Sequence, residues 1–405
     1  MQLAEHIPNI LLTPCRHEYP PIKMGKQPIC MDQFFLAFSS CRIPGRIVDT
    51  FYSHRVDLPD APRHIVVIRN NHMFKFDILE PDKSPLDAAS ILKQLEYIVN
   101  QTDDQGPPIG LVTAHQRTRW ADLYSKMKEV LRWLKWRECK KTERLSSYFA
   151  RSGLTCPQKL KFVLSEDLSC AMAEAGKNID HILGYFGAQE RVFSSFGKTF
   201  LQSHKVAHDG FVQTAVQMTY WRIFGKFPRV WEAVSLQRFK LGRLDHIRTV
   251  TSETTAFIKL FHDENVQSVD KVLMLYKAVK AHRKSIYEAQ MGHGIERHLF
   301  GLQRLAEEEE IDASDFYDDP SWKKSSSIDI RVTTMQGDSI RAVYSPMILK
   351  STVLMWYSFN PDFMRFSITA REDKTEIDVN EFLEGLFVCM LDLKDLLESV
   401  LHPKN

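Results

Sequence analysis

The apolar residues of this chain repeat with two different periods, and both periods occur in each half. In the first half, Phe74, Phe76 and Ile78 alternate with Lys75 and Asp77, the pattern of a strand with one buried face. With Ile65–Ile68 before it, this predicts a hairpin. Asn70-Asn71 supplies its turn, because asparagine tolerates the positive φ of a tight reversal. A helical stretch around Leu86–Val99 follows, stopped by the polar, proline-containing segment Gln101–Pro108. In the second half, Phe211, Ala215, Met218 and Arg222 have helical spacing, with Asp209 placed to cap them. Val269, Val272, Leu273, Tyr276 and Val279 predict another helical face, and Phe382–Leu401 a final amphipathic helix. Ser325–Thr334 and Leu354–Thr369 read as strands. Strands and helices interleaved in both halves predict an α/β protein.

Composition narrows the partners. A formal charge of +2 on 405 residues excludes a broad basic surface for nucleic acid, while leaving room for a local basic site that holds a phosphorylated ligand. Seven cysteines, odd in number and without CxxC pairing, fit reduced thiols and suggest neither a disulfide framework nor a metal site. No apolar run approaches the roughly 18 residues that span a bilayer, so no transmembrane segment is expected. The start, MQLAEHIPNILL, carries an early acid and makes no clear targeting signal, and the final PKN is not the peroxisomal address. Residues 120–144 form a basic, tryptophan-rich run, WADLYSKMKEVLRWLKWRECKKTER, with Trp133 and Trp136 among lysines and arginines. It reads as a helix of the first lobe, with an amphipathic surface for an acidic membrane as the alternative.

A series of strings then points to one family. Met31-Asp32-Gln33 and Cys41-Arg42-Ile43-Pro44-Gly45 stand near the start, followed by His64-Ile65-Val66-Val67 and the Trp120 segment. In the second half come GKTFLQSHKVAHDGFVQTAVQMTYWR, SLQRFKLGRLDHIRTVT, KAVKAHR, GIERHLFGL and DPSWKKSS, in that order over residues 197–326. On these segments the chain resembles the choline/carnitine acyltransferases.

The resemblance implies two related α/β lobes, here residues 1–158 and 159–405, in a coenzyme A-dependent acyltransferase fold. It also implies transfer of a short- or medium-chain acyl group between coenzyme A and carnitine. A histidine serves as the base, because neither the hydroxyl nor the thiol is ionised enough at neutral pH to attack unaided. The family's histidine motif belongs between the segments matching Trp120 and Leu160–Leu168. This chain joins those points by a much shorter stretch, and His181 is the one histidine between Trp120 and Lys198. His181 matches family sequence beyond the motif, so no catalytic residue is carried over and the first lobe is expected to be truncated.

On the coenzyme A side, the resemblance assigns Lys198 and Lys205 to the nucleotide's 3′-phosphate, with Asp209 nearby. Lysine suits this task as a mobile point charge. Gln202 replaces a further lysine. On the carnitine side, it assigns Arg297 to the carboxylate. Trp231 stands where members have a tyrosine, and Leu244 replaces a threonine donor. Thr333-Thr334-Met335-Gln336 takes the place of the family's Ser-Thr-Ser-Gln; Thr333 keeps a hydroxyl, whereas Met335 cannot serve the oxyanion. Ala342 matches the acyl-pocket wall. His246, His282, His293 and His298 read as ordinary structural histidines.

No permanently bound cofactor or metal is implied. Coenzyme A or acyl-coenzyme A is expected as substrate, carnitine as the second ligand, and a monomer as the state. The family's compartments are peroxisomal or mitochondrial. Three functions stay open: a carnitine acyltransferase represented by an incomplete sequence, a non-catalytic relative that binds coenzyme A or a partner, and an enzyme with an unrelated base.

Overall fold

The structure, a computed structural model, describes residues 22–24, 26–33, 40–53, 63–80, 82, 84–138, 154–334, 353–373 and 375–401, with residues 24, 129–138 and 401 described by backbone alone. Met335, Gln336 and Ala342, residues 139–153, and the side chains of Trp133 and Trp136 lie outside the described residues. Helices and mixed sheets make this an α/β protein, and its contacts divide into two compact units, Met1–His181 and Ile182–Asn405.

In the first unit, β1 (Lys23–Met24) pairs with β2 (Gln27–Pro28), and β3 (Ser40–Ile43) with β4 (Thr50–Ser53). The expected hairpin is β5 (His64–Arg69) and β6 (His72–Asp77), antiparallel, with Asn70 and Asn71 both at positive φ. Both turn residues in the left-handed region match the right-handed twist of the flanking strands. Phe74, Phe76 and Ile78 face inward against Ile91 and Ile98 of α1 (Ala88–Asn100). Asp87 caps that helix by accepting from the Ser90 amide. The basic run begins within α2 (Arg117–Glu138), where Arg119 and Lys126 both pair with Asp167. β7 (Gln158–Lys159) joins the free edge of β6, and α3 (Glu166–Leu183) follows.

The second unit is one six-stranded sheet in the order β10-β9-β11-β12-β13-β8. Its elements in chain order are β8 (Phe186–Phe193), α4 (Lys198–Ser203), α5 (His208–Phe224), β9 (Val230–Ser235), β10 (Leu244–Arg248), α6 (Ser252–Phe261) and α7 (Ser268–Glu288). Next come α8 (Glu296–Glu308), α9 (Ser314–Tyr317), α10 (Pro320–Ser326), β11 (Ile330–Thr334), β12 (Val353–Phe359), β13 (Met364–Arg371) and α11 (Val379–Leu401). The central pairs β9–β11 and β11–β12 are parallel; the outer pairs are antiparallel. One sheet face, through Val332, Met355, Tyr357, Phe366 and Ile368, packs with α5, α7 and α11 in the main core. Each fully buried apolar side chain there contributes on the order of 1.5–3 kcal/mol.

Three elements differ from the sequence expectation. Only Ile330–Thr334 of the predicted strand Ser325–Thr334 is extended; Ser325 and Ser326 end α10, which Asp319 caps and Pro320 starts. Leu354–Thr369 is two strands joined by a turn. On α7 the buried stripe is Val272, Leu275, Ala278, Val279 and His282, whereas Val269, Leu273 and Tyr276 face outward. No described helix is long and apolar enough to cross a membrane.

Candidate functional site

The residues that the resemblance assigns to coenzyme A lie on and between α4 and α5, beside the β12–β13 turn. Gly197 lets the chain pass against that turn: a Cβ there would stand 2.4 Å from the Phe363 amide nitrogen and 2.5 Å from the Asn360 carbonyl oxygen. The Lys198 amide donates to Asn360 O at 2.8 Å and the Thr199 amide to Pro361 O at 3.0 Å. The first amides of α4 are therefore spent on the protein, and what this turn offers a ligand is the exposed Lys198 side chain. Lys198 lies near enough to His208 to help lower its pKa, after burial. Lys205 is exposed in the left-handed region, at φ 56. The four-residue link between α4 and α5 forces this reversal.

Asp209 does not cap α5. The cap position is Ala207, and Asp209 stands in the helix's first turn, where its Oδ1 accepts from the Tyr357 hydroxyl at 3.1 Å. A carboxylate there also suits the helix dipole. Burial, then the carboxylates of Asp209 and Glu232, push the Tyr357 phenol well above its ordinary pKa, so it stays protonated and can donate to Asp209. One turn further along α5, Gln213 donates to Glu232 at 3.1 Å, and Glu232 meets His282 Nε2 at 2.7 Å. Burial raises the Glu232 pKa, with His282 opposing the rise. This inner network was not expected from the sequence. Its signal was present, however: Glu232 interrupts the inward row Val230, Val234, and His282 continues the buried stripe of α7.

The residues that the resemblance assigns to carnitine lie on the opposite sheet face and at its edge. The Arg297 amide donates to Asp245 Oδ1 at 3.2 Å, and its Nε to the Leu244 carbonyl at 3.3 Å. Two residues beyond Leu244 on β10, the His246 ring lies 5.8 Å from the Trp231 ring. Arg248 sits over the same indole at 5.7 Å and bonds Glu296 at 2.6 Å. The structure thus brings Arg297, Leu244 and Trp231 into one neighbourhood. Thr333 lies on β11, in register with Trp356 of β12. Arg331, two residues before it, is opposite Trp231 and had no place in the sequence reading. Its signal was an arginine alternating with buried Ile330 and Val332. His246 is held to a pKa of about 4 by burial and by Arg331 and Arg297, so it is neutral at physiological pH. His181 lies on α3, His293 just before α8, and His298 on α8, all exposed. Among the described residues, no group of three or more His, Cys, Asp or Glu is placed to hold a metal ion.

The chain belongs to the choline/carnitine acyltransferase family: the family profile described as Choline/Carnitine o-acyltransferase matches residues 7–133 and 133–387. It is 26% identical to the carnitine O-acetyltransferase of Mus musculus over 464 aligned residues, covering 94% of this chain and 74% of the relative. The Homo sapiens protein of that name is also 26% identical, with 94% and 74% covered. Choline O-acetyltransferase of Danio rerio is 23% identical, with 92% and 72% covered. Among solved structures, the dihydrolipoamide acetyltransferase of Azotobacter vinelandii overlaps with a TM-score of 0.31 at 10% identity, covering 64% of this chain and 100% of that one. A chloramphenicol acetyltransferase overlaps at 0.31 and 8%, covering 55% and 94%. These overlaps are too slight to argue from.

Proposed function

We propose that this chain is an acyl-coenzyme A-binding member of its family in which acyl transfer to carnitine is impaired or lost. The observation that carries this reading is the interruption near residue 133. The two family matches meet there, inside α2, and the mouse alignment runs over 464 positions although this chain has 405 residues. An interruption at that point falls where the histidine motif of the family belongs, and no histidine stands between Trp120 and His181. Without a base, neither a hydroxyl nor a thiol attacks at a useful rate. The differences at Trp231, Leu244 and Met335 lie far along the chain from the interruption, which favours divergence of the carnitine side over a single loss.

Lys198, Lys205 and Asp209 support retention of the coenzyme A side, by resemblance and by the exposure of both lysines. Isothermal calorimetry with coenzyme A tests this. The full chain is expected to bind weakly, and Lys198→Ala to weaken binding further by a few-fold, as loss of one exposed phosphate contact does. Equal affinity in the variant removes the assignment. Acyl transfer to carnitine is the alternative, favoured by Arg297 being held beside Leu244. Octanoyl- or acetyl-coenzyme A with carnitine is expected to release no free thiol. Turnover that Arg297→Ala abolishes would establish the alternative instead.

A further inference from the structure

We propose that the first unit docks peripherally on an acidic lipid surface, through the tip of the β3–β4 hairpin and the outward half of α2. The hairpin holds large apolar side chains out in solvent: Ile47 is 89% exposed, Val48 73% and Phe51 58%. Single exposed aliphatics are ordinary, but three within five residues at one turn mark a surface with a partner. The turn is braced in this form. A Cβ on Gly45 would stand 2.0 Å from the Val48 carbonyl oxygen, and the Gly45 amide donates to Asp49 Oδ1 at 3.2 Å. Asp49 also pairs with Arg42 and Arg117, and Arg46 pairs with Asp122 at 3.2 Å. Arg117 and Asp122 belong to α2, so two ion pairs tie the hairpin to that helix.

The helix supplies the charge. Its inward stripe is set by Leu123, fully buried, and by Met127, which packs against the same cluster. Helical spacing continues that stripe through Val130, Leu131 and Leu134. Trp133 and Trp136 fall on the other half of the helix, with Asp122, Lys126, Lys128 and Arg132. Ser125, Lys126 and Lys128 are exposed there. Residues 40–53 and α2 together hold nine basic residues against four acidic ones, in a chain whose whole formal charge is +2. Asp167, which Arg119 and Lys126 share, lowers that excess by one. An anionic partner is therefore favoured, and the apolar residues decide its kind. Aliphatic side chains at a turn enter hydrocarbon, indoles settle at headgroup level, and lysine and arginine reach the phosphates beside them. Nucleic acid offers Ile47 and Val48 no hydrocarbon to enter. The helix α2 is too heavily charged to span a bilayer, so the attachment is peripheral. This surface involves neither Lys198 nor Arg297, and its test is independent of coenzyme A.

Vesicle sedimentation with the full-length chain tests this, comparing phosphatidylcholine alone with phosphatidylcholine containing about one-third phosphatidylserine. Affinity for the mixed vesicles is expected to be at least about tenfold higher, and to fall as salt is raised. The double variant Ile47→Ser/Val48→Ser alters no charge and is expected to weaken binding by at least about fivefold. Lys128→Glu/Lys135→Glu is expected to remove the preference for phosphatidylserine. The proposal is overturned if the parent binds neither vesicle or both equally. It is equally overturned if the hairpin variant binds as the parent does, or if the lysine variant keeps the preference. Sedimentation equilibrium without lipid is expected to give parent and hairpin variant the same mass. A parent dimer that the hairpin variant dissociates would assign the tip to a second copy and overturn the proposal too. Should the lysine variant fail to fold, the two vesicles with the parent and the hairpin variant, whose substituted residues lie outside the core, still decide.

Discussion

At the residue scale, the interior of the second unit turns on Glu232, 2% exposed, between Gln213 and His282. Removing one partner of a buried hydrogen-bonded pair leaves the other unsatisfied, whereas replacing both with apolar groups costs far less. His282→Leu is therefore expected to destabilise by about 1–3 kcal/mol in urea unfolding, and the double variant Glu232→Leu/His282→Leu by clearly less. His246 supplies a pH-dependent effect. Its folded pKa of about 4 lies below the ordinary 6.5, so the unfolded chain takes up the proton first as acid is added. Its contribution is complete above pH 6.5 and is lost as pH falls toward 4. Subtracting the stability profile of His246→Asn from that of the parent should leave a difference confined to that window. A flat difference would mean that the ring is protonated in the folded chain as readily as in the unfolded one.

At the element scale, α5 departs most from what its sequence suggests. Four spaced residues predicted a helix, but their spacing did not show that every residue from Gly210 to Tyr220 would be buried. Thr214, Thr219 and Gln217 survive there because each bonds a backbone carbonyl, at 2.7, 2.7 and 3.1 Å. The helix approaches α7 so closely at Gly210 that a Cβ would lie 3.0 Å from Val279 Cγ1 and 3.2 Å from its Cα. Gly210→Val is expected to cost about 1–3 kcal/mol by overpacking, read as a lower denaturation midpoint with an unchanged m-value. The outward Val269, Leu273 and Tyr276 of α7 teach the related lesson. A helix with two apolar stripes does not reveal in its own sequence which stripe the sheet will cover. The β5–β6 hairpin was legible in full, since alternation and an Asn-Asn turn are local causes.

At the scale of the whole molecule, the two units have separate cores. The first rests on two small clusters, one around Phe74, Ile91 and Ile98 and one around Leu123, Leu168 and Met172. The second has one large core running through the sheet and α5, α7 and α11. Smaller cores bury a smaller fraction of surface and are less stable. Scanning calorimetry is expected to resolve two transitions, with the Phe74 environment lost in the cooler one; a single transition would mean that the units unfold as one. Local pattern was sufficient for the mixed α/β class, the hairpin and most helices, and ordered motifs were sufficient for the family. Both are written in spacing along the chain, where nearest neighbours dominate. What the sequence could not show was the partner of each polar group. Asp209 reads as a cap until Tyr357, 148 residues away, claims its oxygen. Arg331 reads as one arginine among many until register sets it beside Trp231 with neither donor satisfied. Burial and long-range pairing decide whether a charge is free or spent, and those arise only when distant strands and helices close on one another.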